Sequence, residues 1–239
     1  MPIAESDVSP FYSERQTKAE PEEDDFAIPT WKRALDLGAI TVFAPVWLTV
    51  MICISVWIKF VSPGPIFFTQ ERVGFRGKKF KILKFRSMKV HAETDSHEDH
   101  FTRLVESNQP MTKLDVAGDR RLIFSGRLLR ATGLDELPQL LNVLRGEMSL
   151  VGPRPCTEPE LSSYRMEQLE RFDACPGLTG HWQVNGKNNT TFNRMIELDV
   201  FYARHASLRL DLVILLKTIP ALLAQVRETR SGRQRQDNN

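Results

Sequence analysis

The longest unbroken apolar pattern in the chain is LGAITVFAPVWLTVMICISVWI, from Leu37 to Ile58, with Lys32, Arg33 and Asp36 before it and Lys59 after it. Its 22 residues are enough for one straight helix to cross a hydrocarbon core of about 30 Å. Pro45 interrupts the pattern. A proline removes a backbone donor and clashes with the preceding turn, which predicts a helix bent or broken at Ala44-Pro45. Basic residues beside a membrane segment favour the cytoplasmic side, and here both flanks are basic. The pattern therefore predicts a re-entrant membrane helix over residues 31–61 that enters and leaves by one face, with a single-pass anchor as the alternative.

Beyond it the periodicity changes. Ser62-Pro63-Gly64-Pro65 cannot continue a helix and reads as a rigid turn. Ile66–Val73 and Lys79–Met88 are β-capable runs separated by Gly74-Phe75-Arg76-Gly77, and Phe80 and Ile82 alternate with lysines, which predicts a hairpin. In the segment from Asp135 to Gly146, apolar residues at 137, 140, 141 and 144 give one helical face. Asp135 and Pro138 suit the start of that helix, Arg145 and Gly146 its end. Leu208–Ala224 is apolar but interrupted by Arg209, Asp211, Lys217 and Pro220, too short and too charged to span, and reads as an interfacial helix. The expected fold is α+β and helix-dominated, with four parts: an acidic disordered tail (1–30), the membrane helix (31–61), a cytoplasmic catalytic domain (62–225) and a polar C-terminal tail (226–239).

Charge sharpens this division. The 239-residue chain has a net charge of only +2, but eight acids against two bases in residues 1–30 leave about +8 on the rest. A basic body suits phosphates or anionic lipid. The acidic start has no basic-then-apolar order and is no signal peptide. Cys53, Cys156 and Cys175 form no CxxC pair and no even framework, which implies a reducing compartment. His91–His100 (HAETDSHEDH) invites a zinc reading, but with no cysteine nearby and a wholly polar setting, a surface loop is the better reading. The basic run lacks any nucleic-acid recognition module, so no nucleic-acid partner is expected.

Candidate chemistry gathers in three places. Adjacent Asp135 and Glu136 at a helix start sit where backbone N–H groups and the dipole favour anions, which would keep Asp135 ionised and leave donors for a phosphate; a plain capping pair is the alternative. Arg154, between Pro153 and Pro155, is a held guanidinium suited to bidentate phosphate contact. Lys84 and Arg86, on either side of Phe85, are candidate contacts for nucleotide or lipid phosphates. In the loop Pro176–Gln183, Trp182 reads as a buried structural residue.

Taken in order, Lys32-Arg33-x-x-Asp36, Ser62-Pro63-Gly64-Pro65-x-x-x-x-Gln70-x-Arg72-x-Gly74, Lys84-Phe85-Arg86-Ser87-Met88, Asp135-Glu136-Leu137-Pro138-Gln139, Leu150-Val151-Gly152-Pro153-Arg154-Pro155 and Pro176-Gly177-Leu178-Thr179-Gly180 resemble the bacterial sugar transferase family. These are monotopic polyprenyl-phosphate phosphoglycosyl transferases. Six ordered motifs over about residues 31–225 are specific where one would be weak. The resemblance implies transfer of a hexose 1-phosphate from a UDP-hexose to undecaprenyl phosphate with release of UMP, dependent on Mg2+, at the cytoplasmic face of the bacterial inner membrane. It implies Asp135 as nucleophile, Glu136 assisting metal and proton handling, both as metal ligands, and Arg130 and Arg154 on substrate phosphate. Many members have Ser-Pro at the helix break; here Ala44 precedes Pro45, and no hydroxyl is available to a carbonyl that lost its donor. The sugar, the pathway and the oligomeric state are not legible in these motifs.

Overall fold

The computed structural model describes residues 28–89, 121–186 and 190–237; the acidic tail up to residue 27 and the segment 91–100 lie outside them. Helices dominate, with two small sheets. The apolar pattern forms two helices, α1 (Thr30–Val42) and α2 (Ala44–Val61), with Phe43 between them in a non-helical conformation. The break thus falls one residue earlier than the proline suggests. Pro45 occupies the second position of α2, where a missing N–H costs nothing. Across the break the Trp47 indole N–H donates to Ile40 O at 3.0 Å. The tryptophan supplies the donor that a serine hydroxyl would otherwise provide.

Each helix is bound to the rest of the protein by one face. On α1, Lys32, Asp36 and Ile40 recur every four residues and all are buried. Lys32 Nζ donates to Asp211 Oδ2 at 2.6 Å and to the Tyr202 hydroxyl at 2.9 Å. Asp36 Oδ1 accepts from Leu150 N at 3.0 Å and Ser149 Oγ at 3.1 Å. Arg33 donates to the carbonyls of Val143 and Leu144. These charges, read from sequence only as flanks that set the side of the membrane segment, are engaged inside the protein. On α2, Trp47, Met51, Ile54, Ile58 and Val61 alternate by four and three residues and pack with Phe85, Ile123, Leu129 and Leu134, the stripe of a helix laid along a surface. At 1.5 Å per residue that stripe is about 21 Å long.

The hairpin pairs β1 (Phe67–Val73) with β2 (Lys79–Phe85), slightly shorter than the β-capable runs, with Phe68 opposite Lys84 and Arg72 opposite Phe80. Its turn holds Arg76 at φ 52 followed by Gly77 at φ 75. Chain then leads through α3 (Gly126–Thr132), Gly133 at φ 72, a 3₁₀ turn (Leu134–Glu136) and α4 (Gln139–Arg145), closed by Gly146 at φ 79. The face predicted for α4 is only partly the buried one. Leu140 and Val143 are buried and Leu144 is exposed, because α1 and the hairpin both cover the helix and the buried sector turns toward Asn142.

A second sheet, absent from the sequence reading, pairs β3 (Ser149–Val151) in parallel with β4 (Gly177–Thr179). Two glycines permit it. A Cβ on Gly152 would lie 2.1 Å from Cys175 O, and one on Gly177 would lie 2.0 Å from Gly152 N, distances no side chain tolerates. Short helices α5 (Glu158–Leu161) and α6 (His181–Val184), a 3₁₀ segment (Met166–Asp173) and α7 (Phe192–His205) complete the domain. Trp182 is buried, as expected. The last helix, α8, runs from Leu208 to Asp237, so the polar stretch from residue 226 continues a helix rather than forming a separate tail.

Asn142 is the buried polar clamp of this arrangement. Its amide accepts from Leu83 N at 3.0 Å and donates to Lys81 O at 2.9 Å and Glu147 Oε2 at 2.6 Å, fixing α4 against the outer edge of β2. Asn142→Leu strands two part-buried backbone groups of the hairpin, and we expect it to cost about 1–3 kcal/mol, or roughly 3–9 °C in melting midpoint. Thermal melting of the detergent-solubilised variant measures this; an unshifted midpoint would show that the hairpin holds its place without the clamp.

Candidate active site

Asp135 and Glu136 do not open an α-helix. They lie in the 3₁₀ turn, and α4 begins only at Gln139. The N–H groups of Glu136 and Leu137 bond to the carbonyls of Gly133 and Leu134 at 3.1 and 3.2 Å. The backbone donors that sequence assigned to a phosphate are therefore partly occupied, and positive charge at the site comes from side chains. Gly133 both ends α3 and turns the chain into the acid pair; its left-handed backbone is one that L side chains rarely adopt.

Asp135 is buried and Glu136 half-exposed. Lys84, on the same hairpin face as Ile82, places Nζ 2.8 Å from Glu136 Oε1. Arg72, two pairs further along that face from Lys84, is buried and donates to Gln70 Oε1 at 2.7 Å and toward Pro155 O at 3.4 Å. Burial and the like charge of Arg154 draw its guanidinium down, while Glu160, Cys156 and Glu136 oppose this. Through its bond to the Pro155 carbonyl, Arg72 joins the hairpin face that bears Lys84 to the Pro153-Arg154-Pro155 loop.

Arg154 is held as its flanking prolines suggested, and by more than prolines. Its Nη1 donates to both oxygens of Glu160 at 3.2–3.3 Å. Arg171 Nη2 donates to the Arg154 carbonyl at 2.8 Å, and is itself paired to Asp199 and Tyr164 in the interior. The Glu160 carboxylate pulls the Arg154 guanidinium further up its range. Burial opposes ionisation of Glu160, yet Arg154, Arg72 and the Thr157 N–H outweigh it and hold the carboxyl below its usual value.

Of the residues singled out in sequence, the structure brings Glu136 and Lys84 together, with Asp135 next in the chain, and links Arg154 to the same hairpin through Glu160 and Arg72. Arg130 lies in the last turn of α3, which leads into the acid pair, and its carbonyl accepts from Gln225 of α8 at 3.1 Å. Arg86 is elsewhere. It is buried and donates to the carbonyls of Ser62 and Pro63, both at 2.7 Å, so it fixes the rigid turn after α2 rather than reaching a phosphate. Sequence reasoning missed Arg72, Gln70 and Glu160 as site residues; the motif spacing Gln70-x-Arg72, which puts both on one strand face, was the available signal. Burial pushes the Cys156 thiol up to about 12, which removes it as a competing nucleophile.

No cluster of three or more His, Cys, Asp or Glu side chains able to hold a metal occurs among the described residues. The donor set is a carboxylate pair. That fits Mg2+, which binds through one or two carboxylates and completes its shell with substrate phosphates and water rather than in an all-protein cage.

A carboxylate pair with an ammonium group on one member, on a hairpin that also reaches the Arg154 loop, suits anionic substrates. Residues 28–225 match the family described as bacterial sugar transferase, and the chain belongs to it; it is a sugar-phosphate transferase. It is 39% identical over 195 residues to the exopolysaccharide production protein ExoY of Sinorhizobium fredii, covering 80% of this chain and 84% of that protein. It is 40% identical over 205 residues to the UDP-glucose:undecaprenyl-phosphate glucose-1-phosphate transferase of Caulobacter vibrioides, covering 82% and 71%. With the undecaprenyl-phosphate galactose phosphotransferase of Salmonella typhimurium it shares 37% identity over 177 residues, 71% of this chain but 36% of that longer protein.

The pairing of Arg154 makes Arg154→Lys a severe change. A single ammonium cannot hold Glu160 and also present a fork to a phosphoryl group. We expect a loss on the order of 1–3 kcal/mol of transition-state stabilisation in kcat/KM. Turnover near wild type would make Arg154 a structural residue of its loop.

Proposed function

We propose that the protein transfers hexose 1-phosphate from a UDP-sugar to undecaprenyl phosphate, releasing UMP, as the initiating step of exopolysaccharide or capsule assembly. The observation that carries this reading is the buried carboxylate of Asp135 beside Glu136, with Lys84 on Glu136, Arg72 further along the same hairpin face and Arg154 joined to it through Glu160. The substrates named for the Caulobacter and Salmonella relatives are a nucleotide sugar and a polyprenyl phosphate, and such a site suits both.

An oxygen of the ionised Asp135 carboxylate attacks the sugar-bearing phosphorus, and the bond to UMP breaks with its electron pair leaving on UMP. An ionised carboxylate needs no base for this step. Arg154 and Lys84 offset the charge that develops on the phosphoryl oxygens. A phosphate oxygen of the lipid then attacks the same phosphorus from the acyl phosphate, which restores the Asp135 carboxylate and leaves a lipid diphosphosugar. Asp135 and Glu136 would hold Mg2+, which would neutralise charge on the donor diphosphate.

The acceptor arrives from the membrane, and exposed apolar side chains stand on three elements packed around the turn that carries the acid pair. The outer side of α2 exposes Ile52, Val56 and Phe60, the last to 90%. Trp57 Nε1 of that helix donates to Ser125 Oγ at 2.9 Å, beside Phe124 and Leu128, exposed to 88% and 61%. On α8, Leu216, Ile219 and Leu223 are exposed and Gln225 bonds to Arg130. Because α2 packs along the domain for about 21 Å, its length lies beside the protein rather than beyond it. This supports a re-entrant helix, immersed to part of the bilayer depth, with the catalytic domain on the cytoplasmic face. The basic flanks that first suggested this topology carry less of the argument, since Lys32 and Arg33 are occupied within the protein.

Two experiments test the reading. Cysteines placed at Phe26 and Phe68 should both resist an impermeant reagent added to intact cells; labelling of one alone would establish a span. Asp135→Asn keeps size and removes the attacking charge, so we expect near-native folding with activity lower by several orders of magnitude. Wild-type protein given sugar-labelled UDP-hexose and Mg2+ without lipid should release UMP, retain the label and pass it to undecaprenyl phosphate; Asp135→Asn should retain none. Release of UDP would indicate direct glycosyl transfer with the diphosphate left on the nucleotide.

A further inference from the structure

Glu160 is buried, and its carboxylate is the meeting point of two arginines. Arg154 Nη1 lies within 3.2–3.3 Å of both oxygens, and Arg72 Nη1 is 3.9 Å from Oε2. The carboxylate itself is fixed by a capping box: Oε2 accepts from Thr157 N at 3.1 Å, and Glu160 N donates to Thr157 Oγ1 at 3.3 Å. Pro159 presets the first turn of α5. A group so held does not move to follow a ligand, and it dictates where its partners stand.

The two partners differ in freedom. Arg72 is buried and tied to Gln70 and Pro155, whereas the Arg154 side chain is 38% exposed. Among the described residues, Arg154 donates only from Nη1, and Nη2 and Nε make no bond to any of them. Without the negative charge between them, two guanidinium groups would repel at close range, and only the exposed one has water to retreat into. With it, the trio carries one net positive charge and one edge of Arg154 stays presented.

We propose that Glu160 is a positioning residue for phosphoryl transfer: it holds Arg154 by one edge against the repulsion of Arg72, so that the opposite edge is set for the diphosphate of the nucleotide sugar. This rests on the phosphoglycosyl-transfer reading and on Arg154 touching the donor. Glu160 itself touches no substrate and acts through the arginine.

The test is a double-mutant cycle of Glu160→Gln with Arg154→Ala, read as the second-order rate constant of the single-turnover UMP burst from UDP-hexose without lipid, which in a two-step transfer equals kcat/KM for the donor. Glutamine at this position keeps an oxygen for the Thr157 N–H, and the capping box with it. Glu160→Gln should lower kcat/KM about 10- to 100-fold in the native background. In the Arg154→Ala background, where nothing remains to position, its further effect should be roughly 2-fold or less. Equal losses in both backgrounds would overturn the proposal and make Glu160 a residue of the fold, even where the melting midpoint falls, since a folding defect multiplies in either background. A Glu160→Gln protein that cannot be purified folded in either background would overturn it too. Absence of UMP release from the wild type would remove the transfer reading itself, an outcome distinct from an equal-loss cycle with UMP release intact.

Discussion

Lys32 and Asp211, both buried and 2.6 Å apart, join the first helix of the structure to the last, and the placement of everything between depends on them. A buried charge left without its partner costs on the order of 3–5 kcal/mol, so α1 can dock in only one register. Tyr202 completes the pair: its hydroxyl accepts from Lys32 and donates to Asp211 Oδ1 at 2.6 Å. Burial and Asp211 push the phenol well up, so it remains a donor throughout the physiological range. Four residues on, Asp36 accepts from β3; one residue on, Arg33 meets the last carbonyls of α4, where a cation suits the helix C-terminus. The membrane segment is thus registered against the very elements that carry the site.

Register at α1 becomes position at the acid pair through rigid parts. Arg33 fixes the end of α4, Asn142 fixes its middle against β2, and the 3₁₀ turn with Asp135 and Glu136 precedes its first residue. Lys84, on the strand that Asn142 clamps, then meets Glu136. On the other side the parallel pair β3–β4 brings Gly152 and Gly177 into backbone contact, and the chain emerges as Pro153-Arg154-Pro155. Nucleophile and phosphate ligand therefore stand on separate elements whose separation is set by hydrogen bonds, not by loop conformation.

What sequence made legible was local. The proline break, the hairpin, the Gly146 stop of α4 and the acid pair each have a signature within a few residues, and each appears near its predicted place. What it misjudged depends on partners far along the chain. Lys32, Arg33 and Arg86 look like surface cations in a one-dimensional reading, because burial of a charge is decided by a carboxylate or carbonyl distant in sequence, in the case of Lys32 at Asp211. The 3₁₀ turn before α4 and the parallel pairing of β3 with β4 are likewise tertiary: each strand has three residues, too few to show a period. Ala44 looked like a weakness at the break because the compensating donor, Trp47, follows the proline instead of preceding it.

A reaction whose donor is water-soluble and whose acceptor is a lipid needs one nucleophile reachable from two phases. Here α3 connects them. Its first half bears the exposed Leu128 beside Phe124, its last turn bears Arg130, and Gly133 turns the chain directly into Asp135. A flexible link at this point would let the acid pair drift from the membrane plane, so the short helix is pinned at both ends: to α2 through Trp57 and Ser125, and to α8 through Gln225. In the proposed topology, the depth at which α2 and α8 lie in lipid would set the depth of Asp135. In this arrangement a helix that returned to its own face would do more than anchor the enzyme, since a spanning helix could not keep its packed stripe along the domain and hold the carboxylate at the headgroup level at once.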